Sequence, residues 1–157
     1  MNDEHLREQL VNALAKRQAH QRFDQVVADF PEERFNTRPA NLPYSFWHLL
    51  EHMRICQRDI LDYIVNPDYQ YPSFPEDYWP PADAEADTAA WNTTIASFRA
   101  DLQSLIDIVN DPTRDPCAQI PHGQPGHTIL REILVVAAHN SYHIGEFGIL
   151  RGTLNLF

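Results

Sequence analysis

The stretch that decides the fold class is TAAWNTTIASFRADLQSLIDIVN, residues 88–110. Its large apolar residues follow one another at intervals of 4, 3, 4, 3 and 4, which is the period of one face of an α-helix. The spacing predicts an amphipathic helix that begins after Asp87 and ends at Asn110, Asp111 and Pro112. The residues on this face are Trp91, Ile95, Phe98, Leu102, Leu105 and Val109.

Three further segments have helical periodicity. One begins near residues 43–45, where proline and serine suit a helix start, and ends before Asn66. Another begins at Thr128, a candidate N-cap, and continues to about Leu150. The segment nearest the N-terminus is predicted to be helical over residues 3–29, although its apolar stripe is imperfect. The chain therefore contains four predicted helices.

Glycine usage agrees with an all-α fold. None of the five glycines precedes Gly123, whereas β-hairpin turns generally need residues with positive φ. Four long helices in one chain predict an antiparallel four-helix bundle with a long crossover between the second and third helices. We expect residues 1–157 to form a single domain of this kind.

The crossover, residues 66–86, has an unusual composition. It contains five prolines and five aromatic residues, and no Lys or Arg occurs between Asp59 and Phe98. A connection longer than about 15 residues is rarely structureless in a compact domain, so we expect it to be ordered. Its aromatic side chains either cover the end of the bundle or form the wall of a ligand pocket.

Composition and charge narrow the classes of function. The 157 residues are 43% hydrophobic and 22% charged, with a net charge of −10, which argues against nucleic acid or an anionic membrane surface as the main partner. The longest apolar run, residues 133–138, is far short of the ~20 residues that span a bilayer. The polar start of the chain does not resemble a signal peptide, and two cysteines are too few for a disulfide framework. We expect a cytoplasmic protein.

Histidines carry the main chemical signal. His48 and His52 lie four residues apart on the second predicted helix, and His139 and His143 lie four apart on the fourth. Residues at positions i and i+4 project from the same helical face, so each pair is able to bind one ion. At 100° per residue, His52, His139 and His143 lie at the margin of the apolar face, whereas His48 lies nearer solvent. The alternative is that all four are surface or capping histidines with no common target.

Three histidines that converge would form a metal site. Neutral imidazole suits Zn²⁺, Ni²⁺, Fe²⁺ and Cu²⁺, and three protein ligands leave a coordination position open for water or substrate. A bound ion lowers the pKa of water or of a thiol, which then becomes a nucleophile. Cys56, one turn beyond His52, is either a fourth, soft ligand or a small apolar filler.

Several neighbouring residues have two interpretations. A ligand histidine needs an acceptor for its second nitrogen, and three nearby carboxylates are candidates. The simpler interpretation is that all three are exposed helix residues: Glu51, Glu132 and Glu146. Gly145 and Gly148 on the fourth helix permit close approach of another backbone, in this chain or in a second subunit. The remaining histidines are expected to be solvated: His5, His20, His122 and His127.

Two motifs carry a family resemblance. The run HNSYHIGE, residues 139–146, followed by Leu150 and Arg151, resembles the signature of the last core helix in the DinB/YfiT-like superfamily. The run LLEHM, residues 49–53, is similar to the segment that supplies the first metal ligand of that family. The resemblance implies a four-helix bundle, often dimeric, that carries a divalent metal on three histidines. Matched by position, these ligands are His52, His139 and His143.

The resemblance leaves the reaction open. Some members are similar to S-transferases that activate a low-molecular-weight thiol such as bacillithiol or mycothiol, and others resemble isomerases or hydrolases. We therefore expect a metal-dependent enzyme that activates a thiol or water toward a small-molecule substrate, with zinc or nickel as the metal and manganese or iron as alternatives. A non-catalytic, stress-related metal- or ligand-binding protein is the second hypothesis, and a purely structural bundle without metal is the third. Catalytic residues beyond the ligands are not predicted.

Overall fold

The chain is all-α in the computed structural model, which describes residues 3–16, 18–39 and 42–157. These residues contain no β-strand, and two short 3₁₀ turns, Glu32–Arg34 and Glu76–Tyr78, accompany the α-helices. None of their helices has the length and apolar character needed to cross a membrane. The helices are α1 Asp3–Ala15, α2 Phe23–Val27, α3 Phe46–Val65, α4 Thr88–Asn110 and α5 Ile129–Thr153.

The predicted starts of the three C-terminal helices are confirmed, and so are the ends of α3 and α4, whereas α5 continues to Thr153, beyond the predicted end near Leu150. Ser45, Asp87 and Thr128 occupy the N-cap positions of α3, α4 and α5, and each side-chain oxygen accepts a hydrogen bond from the N–H three residues along. Such a bond satisfies one of the amide groups that have no partner within a helix. Asn66 and Asp111 are the C-caps of α3 and α4, as the sequence indicated.

The predicted first helix over residues 3–29 is wrong, because the chain forms α1 and the short α2 instead. Residues 16–22 are almost entirely polar, so a continuous helix there would have no apolar face to bury. The break lets Phe23 turn inward, where its ring stacks on that of Phe98 at 4.0 Å. After α2, Asp29 has a φ of 50°, a left-handed conformation in which a helix cannot continue. Residue 17 and residues 1, 2, 40 and 41 of the predicted domain lie outside the described residues.

Helices α3 and α4 run side by side in the same direction. Near their N-terminal ends Thr94 donates a hydrogen bond to Glu51 at 2.7 Å, and further along both helices Arg58 contacts Asp101 at 3.3 Å. Parallel neighbours need a connection that returns along the length of the helix. Residues 66–86 provide it, since they join the end of α3 to the start of α4.

Helix α5 runs in the opposite direction to α3. The Phe147 ring near its C-terminal end lies 5.2 Å from the ring of Phe46 at the start of α3. In the middle of both helices, Asn140 donates to Gln57 at 2.9 Å. Helix α1 packs against both α4 and α5, and α2 packs against α5. The inner faces of α3 and α5 are therefore apposed along their length.

The 66–86 crossover is ordered and lies along the side of α3. Tyr69 and Tyr78 both donate to the carboxylate of Asp59, at 2.6 and 2.9 Å. Closer to the start of α3, the backbone carbonyl of Pro81 accepts a hydrogen bond from His48 at 3.0 Å. These contacts hold the crossover over the histidine-bearing face of α3, rather than over the end of the helices.

Candidate metal centre

The structure brings the three predicted ligand histidines together. Ring centroids of His52 and His139 are 5.1 Å apart, those of His52 and His143 are 4.9 Å apart, and those of His139 and His143 are 4.5 Å apart. The Nε2 atoms of His52 and His139 are separated by 3.3 Å. His52 comes from α3 and the other two from α5, so the cluster joins two oppositely directed helices.

Hydrogen bonds fix the orientation of two of these rings. Nδ1 of His52 donates to the backbone carbonyl of Tyr78 at 2.7 Å, because a carbonyl oxygen is only an acceptor. Nδ1 of His143 lies 2.8 Å from a carboxylate oxygen of Glu146. A neutral ring with its proton on Nδ1 has a free lone pair on Nε2, the arrangement typical of metal-ligating histidine.

Glu146 is the carboxylate that reaches a ligand histidine. Its other oxygen accepts a short hydrogen bond from the Tyr44 hydroxyl. Burial acts to raise the pKa of Glu146, but the hydrogen bonds from His143 and Tyr44 outweigh it and the pKa is lowered. Burial, followed by the bond to Glu146, raises the pKa of Tyr44. Glu146 is therefore ionised at neutral pH and holds the Nδ1 proton of His143.

The alternative that the three carboxylates are exposed helix residues is wrong. Glu132 is buried and accepts from Arg131 at 2.6 Å, away from the histidine cluster. Glu51 is half-buried and accepts from Thr94 and from Arg54. Both carboxylates have partners among cations and hydroxyls, so neither is available to a histidine of the cluster.

The crossover contributes an aromatic wall to the cluster. Trp79 stacks on His52 with a centroid distance of 3.9 Å and an interplanar angle of 4°. The Tyr44 ring also stacks on Trp79, with a centroid distance of 5.1 Å. Trp79 and the Tyr78 carbonyl thus restrict His52, whereas Phe74 remains 81% exposed. Only part of the aromatic content of the crossover lies near the histidines.

Burial keeps His52 and His139 neutral. Desolvation is the main cause that lowers the pKa of His139 to about 4, and the neighbouring rings of His143 and His52 lower it further. The pKa of His52 is also lowered, again mainly by burial and despite its bond to Tyr78. Imidazole must be unprotonated to bind a metal, so both rings are in the binding form at neutral pH.

Cys56 belongs to the same cluster. Ligand atoms of His52, Cys56 and His139 all lie within 4.8 Å of one another. The thiol is buried, and desolvation raises its pKa to about 12, with a further contribution from Asp59. Without a metal the thiol is therefore protonated, and it would have to release its proton to serve as a ligand.

The residues of the cluster fit a divalent metal ion. Two nitrogen ligands on bonds of about 2.1 Å lie roughly 3.0 Å apart at a right angle and roughly 3.4 Å apart at the tetrahedral angle. The observed separation of 3.3 Å between His52 Nε2 and His139 Nε2 lies within this interval. The neutral rings of His52 and His139 supply nitrogen donors of the kind that such ions bind.

His48 is not part of the cluster, and its predicted position near solvent is wrong. It is buried, with Nδ1 at 2.7 Å from the Ser45 hydroxyl and Nε2 donating to the Pro81 carbonyl. Helical periodicity placed it away from the core, but the crossover covers that side of α3. Its two nitrogens are occupied by structural hydrogen bonds.

The other histidines are less solvated than predicted. His20, His122 and His127 are half-buried, while His5 is exposed. His122 donates to the carbonyl of Tyr63 at 2.7 Å, and Nδ1 of His127 is 2.9 Å from the Tyr63 hydroxyl. The loop that precedes α5 therefore uses its histidines as structural contacts with α3.

The two glycines of α5 have different surroundings. A Cβ at Gly148 would lie 2.6 Å from Gln21 Oε1 and 3.6 Å from Val26, so this glycine allows the chain around α2 to approach α5. Among the described residues, none has an atom within 4 Å of a Cβ placed at Gly145. The close approach permitted by Gly148 is thus made within this chain.

Sequence reasoning missed three contributors to the site. They are the carbonyl of Tyr78, the ring of Trp79 and the hydroxyl of Tyr44. A backbone carbonyl leaves no trace in residue identity. The density of aromatics in residues 66–86 was the one signal that pointed to the crossover.

The fold and the site together give the class of this protein. It is a helical protein with a candidate metal centre, which is formed by three imidazoles between apposed helices. The family profile described as DinB superfamily matches residues 15–147, a span that includes all three histidines. The chain belongs to the DinB superfamily. No significant match was found among curated proteins or among solved structures.

Proposed function

We propose that the protein is a divalent-metal-dependent enzyme that holds its ion on His52, His139 and His143 and activates a thiol or a water molecule. The observation that carries the proposal is the 3.3 Å approach of Nε2 of His52 to Nε2 of His139. The ring centroid of His143 lies within 5 Å of the centroids of both these rings. Membership of the DinB superfamily supports a metal-binding role.

The proposed fold is an antiparallel four-helix bundle formed by α1, α3, α4 and α5, with one domain over residues 1–157 and the crossover at residues 66–86. Each of these helices packs against two of the others, which supports a bundle. In this arrangement the antiparallel pairs include α3 with α5, and α3 and α4 are parallel. The histidines then lie between one antiparallel pair.

In the proposed site the chain's own residues prepare the ligands. Tyr78 and Glu146 hold protons on Nδ1 of His52 and His143, so that the Nε2 lone pair of each ring is left free for a metal ion. Trp79 covers one face of His52 and limits the access of water to it. A divalent ion bound there would lower the pKa of a coordinated thiol or water and so supply a nucleophile at neutral pH.

A small molecule with an electrophilic centre is the proposed substrate, and a low-molecular-weight thiol is the proposed nucleophile. We propose zinc or nickel as the metal, with manganese or iron as alternatives, because imidazole ligands without a thiolate accept all of these ions. A single ion bound by three residues would leave positions open for the nucleophile.

Metal content per chain tests the site. Tag-free wild type, loaded with zinc or nickel and desalted, is expected to retain close to one equivalent by inductively coupled plasma mass spectrometry. His52→Ala, His139→Ala and His143→Ala should each lose it. His48→Gln is the matched control, because it changes a buried histidine one turn from His52 that lies outside the cluster, and it should retain the metal. Equal metal content in all five proteins would contradict the proposed site.

Turnover separates the enzyme from the second hypothesis, a non-catalytic stress-related protein that binds metal or a ligand. An enzyme should consume a thiol together with an electrophile in a reaction that requires the metal and is lost in His143→Ala. A binding protein should take up the metal and gain thermal stability without consuming any thiol, and a structural bundle should do neither.

We propose that the protein is cytoplasmic and that its partner is a second copy of the chain. We propose neither nucleic acid nor a membrane as a partner. Val135, Tyr142 and Ile149 recur every seven residues on α5 and are exposed, and the unfilled space at Gly145 lies on the same side. If α5 forms the contact, Ile149→Glu should convert a dimer to a monomer in light scattering after size-exclusion chromatography. Val65→Glu, which alters another exposed apolar residue, should leave the dimer intact.

A further inference from the structure

A small cavity of about 90 Å³ lies between α1, α4 and α5. Its α5 wall includes Ser141 and Ile144, and none of the three candidate ligand histidines is among the described residues that line it. Ser141 lies two residues before His143, which is about 160° around the helix axis at 3.6 residues per turn. The cavity and the histidine cluster are therefore on opposite sides of α5.

The floor of the cavity is apolar. The buried rings of Phe23 and Phe98 stack on each other with a centroid distance of 4.0 Å, and Leu102 and Ile144 also line this surface. A cavity of about 150 Å³ with apolar walls holds benzene. A volume of about 90 Å³ therefore suits an aliphatic body of roughly two to four carbon atoms.

Charged side chains surround the mouth of the cavity, and most of them are cations. Lys16, Arg22 and Arg99 line it and are exposed, so their charges lie toward solvent and the apolar floor lies inside. Asp24 is the one carboxylate among the described lining residues, and Arg99 donates to one of its oxygens at 2.7 and 2.9 Å. Within the described part of the chain, neither Lys16 nor Arg22 forms an ion pair.

His20 adds a positive charge to the wall of the cavity. Its Nδ1 donates to the backbone carbonyl of Gln21 at 2.6 Å, because a carbonyl oxygen only accepts. Its Nε2 lies 2.8 Å from the Ser141 hydroxyl, and that hydroxyl donates its single proton to the carbonyl of Ala137 at 2.6 Å. Nε2 of His20 must then donate as well, and a ring with two N–H groups is an imidazolium cation. Four cations and one carboxylate leave an excess of three positive charges, in a chain whose net charge is −10.

We propose that this cavity binds a small organic carboxylate, whose charged group lies among the cations of the mouth and whose short aliphatic chain packs on Phe23 and Phe98. Arginine and lysine form charge-assisted hydrogen bonds with carboxylates, and a bound anion would offset the excess of positive charge. Inorganic phosphate has no apolar part for the floor, and a neutral molecule leaves the cations uncompensated. The site is separate from the proposed metal centre and does not depend on it, because α5 lies between them.

Titration of ¹⁵N-labelled protein with butyrate, followed in ¹H–¹⁵N correlation spectra, tests the proposal. Butyrate should shift the amide signals of residues around the cavity, among them Ser141 and Ile144. It should bind at least about 10-fold more tightly than butyramide, which has the same chain without the charge. It should also bind more tightly than inorganic phosphate, which has charge without the chain.

Variants at the mouth and in the wall test the two parts of the site. Arg99→Gln removes a cation and leaves the carboxylate of Asp24 unpaired, so butyrate should bind about 10-fold more weakly. Arg58→Gln is the matched control, because the Arg58 side chain is also 56% exposed and also pairs with an aspartate, but lies on α3 outside the cavity. It should bind butyrate as wild type does. Ala13→Leu adds carbon atoms to the α1 wall and keeps every charge, and it should abolish binding.

Each contrary result would overturn a definite part of the inference. No saturable binding of butyrate to wild type, or equal affinity in Arg99→Gln, would show that these cations do not hold a carboxylate. Phosphate that binds as tightly as butyrate would reduce the site to a general attraction of anions, and full affinity in Ala13→Leu would place the ligand outside the cavity. His143→Ala separates this site from the metal centre, since it should bind butyrate as wild type does. A loss of affinity in that variant would place the carboxylate at the metal instead.

Discussion

His52 Nε2 and His139 Nε2, which are 87 residues apart in the chain, approach each other to 3.3 Å between two oppositely directed helices. No local interaction brings these residues together. Their approach depends on the apolar packing of α3 against α5, in which Phe46 meets Phe147. The cluster is thus built on two rigid elements, which suits a site that must hold ligands at fixed separations.

Removal of the Glu146 carboxylate should weaken metal binding. Glu146→Ala takes away the acceptor of the His143 Nδ1 proton, and we expect zinc affinity to fall about 10- to 100-fold. Glu146→Gln, which keeps an acceptor oxygen but not the charge, should lose less. Glu51→Ala is the control, since that half-buried carboxylate contacts Arg54 and Thr94 instead. Chelator competition on the three variants measures the effect, and an unchanged affinity in Glu146→Ala would count against the role of Glu146.

Metal-free protein should lose stability on mild acidification. The pKa of His139 is lowered from 6.5 to about 4, and that of His52 is lowered as well, so protons bind to the unfolded chain before they bind to the folded one. The free energy of unfolding should therefore fall as the pH drops from about 6.5 toward about 4, by on the order of 1–2 kcal/mol after allowance for solvent screening. Urea unfolding after treatment with chelator measures this, and His139→Gln should show a shallower slope. A flat profile in wild type would contradict the assigned shifts.

Cys56 should behave as a buried thiol and not as a metal ligand. Burial raises its pKa to about 12, and it is enclosed, whereas Cys117 is exposed. At pH 8 a thiol reagent such as Ellman's reagent should label Cys117 in the native protein and reach Cys56 only after denaturation. Cys56→Ala should retain zinc with an affinity within about threefold of wild type. A thiolate-to-metal charge-transfer band in the cobalt-loaded protein that disappears in this variant would instead identify Cys56 as a fourth ligand.

Trp79 should report metal binding through its fluorescence. Its ring stacks on His52 at 3.9 Å, so a paramagnetic ion such as Ni²⁺ on that histidine should quench its emission. We expect the quenching in a titration of wild type to be largely absent in Trp79→Phe. Trp91→Phe, which alters a buried tryptophan that stacks on Phe35, should preserve it. Quenching that survives in Trp79→Phe would place the ion elsewhere.

The sequence by itself determined the helices that carry the site. Local signals are sufficient for this, because an N-cap such as Thr128 and an apolar stripe at helical spacing act within a few turns of the chain. The i, i+4 spacing of His139 and His143 likewise places both on one face of α5 without reference to the rest of the molecule. Local reasoning failed between α1 and α2, where a weak stripe was extended across a polar segment that has no apolar face to bury.

The tertiary structure alone decided which side chains meet. The burial of His48 depends on the return of the crossover along α3. How α5 faces α3 decides that Glu146, and neither of the other two candidate carboxylates, contacts a histidine of the cluster. The Tyr78 carbonyl that orients His52 has no signature in residue identity. Such contacts join segments that are distant in sequence, and they form because the apolar faces of several helices must be buried together, a condition that no single segment contains.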